Sequence, residues 1–532
     1  MPARGVVAYF CMEFGLDESF PIYSGGLGVL AGDFVKSAHD LELPLVAVGL
    51  CWERGYGVQR IDEGGRPTYE YPPVDRSFLE DTGVRVRVRV RGVEVPCSVL
   101  VTTRFGNAPL YMIQPYRDEH RWITRRLYEA GNDVRIAQEM LLGIGGVRAL
   151  NWLGFEVSTY HFNEGHAVFA GVEMLAERMA GGMTFPDAWD DTRRRIVFTT
   201  HTPVPAGNEV HGIKDLRRMG ACLELSGAEV RALGGDPFNM TAAGLRLARR
   251  ANAVSALHGE TTRAMWARVD KAAPIVSITN GVHRKTWQAP AIAAAAGDAR
   301  SLRAARQDLR KELALEVARR SGRPLVPEAL VIGVARRAAG YKRGDLILRD
   351  EARLEALMEA RPVHIVFSGK AHPDDATGQA IVARLARAQH EHEGRVWFLE
   401  NYDLALARLL TRGCDVWLNH PVRPLEACGT SGMKAALNGV LNLSVLDGWW
   451  AEACEHGVNG WAIGDERAGE DTKDLQALYD VLEREVLPAW ADQERWTTMM
   501  QASILTAERR FTSERMVKEY FERLYETPPP VD

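Results

Sequence analysis

Apolar residues fall along this chain in short unbroken runs. PLVAVGLCW (44–52), RIVFTT (195–200), LVIGVARR (330–337), VHIVFSG (363–369), VWFLENY (396–402) and DVWLNHP (415–421) are rich in β-branched and aromatic residues and lack alternation. That is the pattern of parallel strands covered on both faces. Longer stretches with helical spacing lie between them, such as 118–150 and 164–180. Repeated strand–helix alternation predicts α/β layers. One segment differs: VRVRVRVRGVEV (84–95) alternates strictly, which predicts a half-exposed strand in a local antiparallel hairpin.

A charged helical stretch over 296–322 precedes a fresh series of strand–helix units. It sets the expected division: a first domain over 1–295, a second over 296–490, and closing helices over 491–532 that pack back on the first. In the tail, Val517, Tyr520, Phe521, Leu524 and Tyr525 fall at i, i+3, i+4, i+7 and i+8 behind Thr512 or Ser513 as N-cap, so 512–527 predicts an amphipathic packing helix. The prolines at 528–530 read as a frayed end. Two α/β domains facing each other would place a ligand cleft at the carboxyl ends of their strands.

Composition narrows the function classes. A length of 532 residues predicts two to four domains at roughly 150 residues each. A net charge of −5 with both signs mixed carries no basic footprint for nucleic acid. No run approaches the roughly 18 apolar residues that span a bilayer. The opening MPARGVVAYFCMEFGLDES has no signal-peptide core, so a cytoplasmic location is expected. The 7 cysteines are odd in number, scattered and never spaced C-x-x-C, which argues against disulfides and a cysteine zinc site. His390–Glu391–His392–Glu393 has the wrong spacing for two ligands on one helical face, so a solvated turn is expected there and no metal. Lysine is scarce, ten residues against fifty-five arginines. Arginine stays protonated, whereas lysine can act as an amine nucleophile, so lysine chemistry has few candidates here.

Four constellations could carry chemistry. Gly25-Gly26-Leu27-Gly28-Val29-Leu30-Ala31-Gly32 opens a helix running to about Leu41. Such a turn lets an anion approach backbone N–H groups at a helix start, although tight packing answers to the same pattern. As a dinucleotide loop it would pair with Glu53 for the ribose. Arg336-Arg337-Ala338-Ala339-Gly340-Tyr341-Lys342-Arg343 follows a buried strand. Four cations there need an anion or acids to meet them, so a phosphate-rich ligand and a salt-bridge cluster are both open. Glu426-Ala427-Cys428-Gly429-Thr430-Ser431-Gly432-Met433-Lys434 runs a Gly/Ser/Thr loop into a helix. It is not a P-loop, but its N–H groups and hydroxyls could cradle a phosphate, and its lysine could form a Schiff base; a lysine simply solvated on a helix is equally open. Last, His161, Asn163, Glu164 and His166 in HFNEGH, His201 and Thr202, and Asn280 sit at strand ends, where sugar hydroxyls would need partners.

Taken together, VAYFCMEFGL, YSGGLGVLAGD, HFNEGH, FTTHTPVP, ITNGVHRKTW, RRAAGYKR, FSGKAHP, FLENYDLALA, PLEACGTSGMKAALNG and FTSERMVKEY resemble the α-glucan phosphorylase family (glycogen, starch and maltodextrin phosphorylases) across nearly the whole chain. The resemblance implies a GT-B architecture of two Rossmann-like domains with the active site between them. It implies transfer of a terminal α-1,4-linked glucosyl unit to inorganic phosphate, giving α-D-glucose 1-phosphate with retention and using pyridoxal 5′-phosphate. Lys434 matches the lysine that holds this cofactor. Arg337 and Lys342 match residues at the substrate phosphate, Lys342 reaching the cofactor phosphate as well. Gly429 and Thr430 match backbone contacts to that phosphate, with Arg336, Ser431 and Trp287 joining the cofactor set. Gly25 and Gly26 match the glycine loop. His201, Asn280 and Glu426 match contacts to glucosyl hydroxyls, with Cys428, Glu164 and His166 beside them. In this family the cofactor phosphate relays a proton to the substrate phosphate, so no paired carboxylates are needed. A homodimer is an open possibility of the resemblance.

The departures point to the compact bacterial and archaeal branch. Asp403 stands where long-form members carry an arginine that contacts the cofactor phosphate; Arg336 replaces a lysine and Ala339 a histidine; the loop reads CGTSGMK instead of SGTGNMK. Arg423 is the expected compensating cation. The chain starts almost at the first family motif, so no phosphorylation switch and no nucleotide activation are expected. The competing readings are a cofactor-free GT-B nucleotide-sugar glucosyltransferase of glycogen-synthase type, which would not need Lys434, and a non-catalytic glucan binder, which would not need Lys434, Arg337, Lys342 and His201. A dehydrogenase leaves the later motifs unexplained.

Overall fold

The computed structural model describes residues 5–202, 207–467 and 469–526, so the prolines at 528–530 lie outside it. The chain divides into two compact units, one of Met1–Tyr56, Tyr71–Thr279 and Ser513–Asp532, the other of Gly57–Glu70 and Asn280–Thr512.

The first unit is built on a nine-stranded sheet. Ile275–Ser277, Arg250–Ala253, Ile196–Thr199, Val157–Asn163, Val6–Phe10, Leu45–Leu50 and Leu110–Pro115 pair in that order, all parallel. Val93–Thr102 and Glu80–Val90 then add antiparallel strands at one edge. The strictly alternating segment is thus a hairpin, turning at Arg91–Gly92 with positive φ. Val86, Val88 and Val90 face the core, while Arg85, Arg87 and Arg89 point outward and keep the edge charged.

The second unit holds six parallel strands, ordered Val396–Leu399, Val363–Lys370, Leu330–Arg337, Val416–Asn419, Leu441–Val445 and Gly460–Ile463. Within one strand, Leu330, Ile332 and Val334 join one apolar cluster, while Val331 and Ala335 join the cluster on the opposite face. Both faces are covered, which is why these runs show no alternation.

The unit boundary falls at Thr279/Asn280 and not at 295/296, because Ala289, Ile292 and Ala295 pack into the second unit's core. The helix Gln493–Arg510 also stays there, burying Trp496, Met499, Met500 and Ile504, so only the chain from Ser513 onward returns to the first unit. An unanticipated hairpin, Val58–Ile61 with Pro67–Glu70, joins the second unit: the buried Gln59 side chain donates to the Gly369 carbonyl and accepts from Ala371 N–H, both at 2.9 Å.

The tail is held by a buried hydrogen-bond chain. Thr199 donates to Asn252 Oδ1 at 2.6 Å, so its oxygen accepts from His161 Nε2 at 2.7 Å, and His161 Nδ1 must accept from the Tyr525 hydroxyl at 2.6 Å. Burial holds that imidazole neutral by pushing its pKa well down. Tyr525→Phe leaves Nδ1 without a donor and is expected to cost about 1–3 kcal/mol, read as a lower urea midpoint at unchanged slope.

Candidate active site

In the second unit, the candidate side chains gather at the carboxyl ends of neighbouring strands, where open α/β sheets bind ligands. Lys434 lies on the helix Thr430–Ala436, which follows Gly429 at φ +84°, a left-handed conformation suited to glycine. Lys434 is only 6% exposed, and its Nζ sits 3.7 Å from the ring centroid of the buried Trp287. The Ser431 hydroxyl accepts from Trp417 Nε1 at 3.2 Å, tying this helix to the strand Val416–Asn419. Cys428 is buried, and its carbonyl accepts from Trp449 N–H at 2.9 Å.

Lys342 and Glu426 meet directly, with Nζ 2.5 Å from Oε2. Burial works to lower the Lys342 pKa, but the Glu426 carboxylate outweighs it and raises it. Asp447, which sequence reasoning passed over, orders the Glu426 loop: Oδ2 accepts from Glu426 N–H at 2.9 Å and Oδ1 from Gly448 N–H at 2.8 Å. The available signal was position alone, since Asp447 comes just after the strand Leu441–Val445. Burial pushes its carboxyl up to about 7, against an ordinary 3.8. The folded protein then holds a proton that the unfolded chain has released, so this group's contribution to stability falls as pH rises from about 4 to about 7 and is level above. Asp447→Asn should remove that fall, checked as the difference between variant and parent melting temperatures across the window.

The arginine run separates by role. Arg336 is buried; its guanidinium donates to the Lys342 and Leu418 carbonyls and to Asn419 Oδ1, while its Nε has no hydrogen-bond partner among the described residues. Arg337 is exposed at the strand end. Arg343, a member of the run open to either a phosphate or a salt-bridge cluster, is 2% exposed and engaged by the His420 and Pro421 carbonyls, Asp471 and Asp474. Arg423 donates to the Leu446 carbonyl. Asn280 is buried in this unit.

In the first unit the helix Gly26–Asp40 follows the glycine loop. A Cβ on Gly25 or Gly26 would meet no protein atom within 4 Å, whereas one on Gly32 would fall 2.1 Å from the Gly15 carbonyl oxygen. Gly32 therefore serves packing, and the first pair leaves side-chain space empty beside the helix start. Glu13, also missed, takes the Ser24 N–H at 2.6 Å and the Gly25 N–H at 3.3 Å, and accepts from Tyr128 at 2.8 Å. His201 donates from Nε2 to Asn163 Oδ1 at 2.7 Å. Burial lowers its pKa to about 3, with His258 and His166 adding, so the ring is neutral. The Glu164 carboxylate is spent on His201 N–H, Gly165 N–H and the Thr202 hydroxyl. His166 is likewise held neutral, and its Nδ1 has no partner among the described residues. Nearby, Arg135 bridges Glu209 and the buried Glu139, which also meets His211 at 2.9 Å. The His390–Glu393 turn is largely exposed at the end of the helix Ala376–Glu391.

Two parallel-rich Rossmann-like units carrying a buried lysine on a glycine-rich loop define the class of GT-B glycosyl-transferring enzymes. A family model described as carbohydrate phosphorylase matches residues 249–460. The maltodextrin phosphorylase of Thermococcus litoralis is 40% identical over 98% of this chain and 70% of its own length. The glycogen phosphorylase of Aquifex aeolicus is 34% identical over 98% and 86%, and an uncharacterized protein of Methanocaldococcus jannaschii 37% over 97% and 99%. The chain belongs to the α-glucan phosphorylase family. Among the described residues no helix is long and apolar enough to cross a membrane.

Proposed function

We propose that this chain catalyses reversible phosphorolysis of the terminal α-1,4-glucosidic bond of an α-glucan, giving α-D-glucose 1-phosphate with retention, with pyridoxal 5′-phosphate held on Lys434. Lys434 carries the reading: a scarce residue type, buried, and laid on the face of Trp287. An amine withdrawn from water beside an aromatic face suits condensation with an aromatic aldehyde. The remaining donors suit an anion, since Arg336 Nε is buried and unpartnered and Gly429 and Thr430 offer backbone N–H groups. The bound cofactor would supply a phosphate group that exchanges a proton with the substrate phosphate.

The chain's own residues bind and orient. Arg337 and Lys342 bring positive charge to the substrate phosphate. Glu426, its Oε2 held by Lys342, keeps Oε1 to accept from a glucosyl hydroxyl. His201, neutral and donating from Nε2, presents Nδ1 as an acceptor to another hydroxyl. Asn280, Cys428, Glu164 and His166 support the sugar side, Glu164 by fixing the His201 backbone. Gly25 and Gly26 leave room for a ligand where a side chain would intrude. Because the substrate phosphate both protonates the leaving oxygen and attacks the anomeric carbon, no carboxylate pair is required.

The test offers the protein maltodextrin with inorganic phosphate and, separately, a nucleoside-diphosphate glucose. Release of glucose 1-phosphate is expected. Glucan elongation from the nucleotide sugar without cofactor would contradict the proposal and support the synthase-type reading.

A further inference from the structure

A cation outside this set stands at the same strand edge. Lys370 ends the strand Val363–Lys370 and pairs in register with Arg337 on the neighbouring strand, while Arg336 pairs with Gly369. Its backbone is fixed from two sides. Lys370 O accepts from Ala338 N–H at 2.8 Å, and Gln59 clamps the peptide groups of Gly369 and Ala371. Gly369 itself admits no side chain, since a Cβ would lie 2.4 Å from the Arg336 carbonyl oxygen. So much anchoring positions a side chain whose Nζ makes no hydrogen bond and no ion pair among the described residues.

The opposite charge that acts on it is Asp403, which is already used. It caps the helix Leu404–Gly413, accepting from Leu406 N–H at 2.9 Å and from Asn401 at 3.4 Å. Asp403 still favours the charged lysine, but burial wins and lowers the Lys370 pKa to about 8. Arg336, one strand over, is buried with Nε unpartnered. A half-buried ammonium without an acceptor, next to a buried guanidinium with one N–H unpartnered, is costly unless an anion completes the edge. Arg423, the compensating cation expected from sequence, donates one N–H to the Leu446 carbonyl.

We propose that Lys370 is a further phosphate-binding residue of the second unit, donating beside its register partner Arg337 to a phosphate dianion. The proposal rests on the phosphorylase reading for the two sources such a phosphate could have: the cofactor's phosphate group or the inorganic phosphate substrate.

The test uses Lys370→Gln and Lys370→Arg in the full chain. Cofactor-stripped protein is titrated with pyridoxal 5′-phosphate and with pyridoxal, which lacks the phosphate, following absorbance. The cofactor-saturated enzyme is assayed for KM toward phosphate separately from kcat. Loss of a charged hydrogen bond predicts a change of about tenfold or more in Lys370→Gln, with recovery in Lys370→Arg. If the cofactor phosphate is the partner, affinity for pyridoxal 5′-phosphate falls and that for pyridoxal does not. If the substrate is the partner, KM for phosphate rises at unchanged kcat. Either result supports the proposal. It is overturned if both quantities stay within about twofold, or if pyridoxal and pyridoxal 5′-phosphate weaken equally. Should the parent protein take up no cofactor, the phosphorylase reading fails separately, and calorimetric titration with inorganic phosphate decides Lys370: binding lost in Lys370→Gln supports it, while unchanged or absent binding overturns it.

Discussion

Replacing Lys434 with alanine is expected to abolish release of glucose 1-phosphate, to below about one part in 10⁴ of the parent rate, because the variant would forfeit the proton-transferring group that its amine is proposed to hold. The loss is in kcat. The fold tolerates the change, since the helix Thr430–Ala436 is kept by Gly429, by Ser431 against Trp417 and by Asn438, which donates to the Lys434 carbonyl at 2.8 Å. A melting curve close to the parent's, together with absent activity and absent cofactor absorbance, is the expected combination. A glucan-binding relative without catalysis would show no activity in the parent either.

The second large effect is at Glu426. Lys342 and Glu426 are 15% and 16% exposed in their side chains. Removing one member of such a pair leaves a poorly solvated charge, so Glu426→Gln is expected to cost about 2–4 kcal/mol. With Glu426 neutralised, burial acts on Lys342 without its counter-charge and lowers its pKa below that of the unfolded chain, so the penalty is full while the folded lysine is protonated and fades as pH rises and it loses its proton. Adding Lys342→Met removes the stranded charge and restores most of the stability. Activity does not return: loss of the hydroxyl acceptor and of a phosphate-binding cation should each lower kcat/KM by about 10² or more. Recovery of activity with stability in the double variant would show that the pair is only structural.

Much of this was legible because the relevant physics is local. The unbroken runs at 330–337 and 363–369 are parallel strands buried on both faces, and the alternating segment at 84–95 is the edge hairpin, since one-sided and two-sided burial leave different periodicities. Lys434 could be singled out because lysine is rare and its neighbours are glycine, serine and threonine.

What escaped depends on contacts distant in sequence. Nothing local to RRAAGYKR tells which guanidinium meets an anion. Arg343 is satisfied by Asp471 and Asp474 and by two backbone carbonyls, while Arg336 retains an unpartnered Nε. Ala289, Ile292 and Ala295 are apolar in any reading, and only packing assigns them to the second core. Gln59 looks like an ordinary polar strand residue until its amide is found clamping the peptides around Lys370. Asp447 bears no motif; its role comes from accepting the Glu426 N–H across a loop.

The central claim is that Lys434 holds a phosphorylated pyridoxal. The most direct measurement reduces the purified protein with borohydride, digests it and weighs the peptide that bears position 434. A phosphopyridoxyl mass increment on Lys434, and on none of the other nine lysines, is the predicted result. An unmodified Lys434 in a protein that still releases glucose 1-phosphate from maltodextrin would contradict the account.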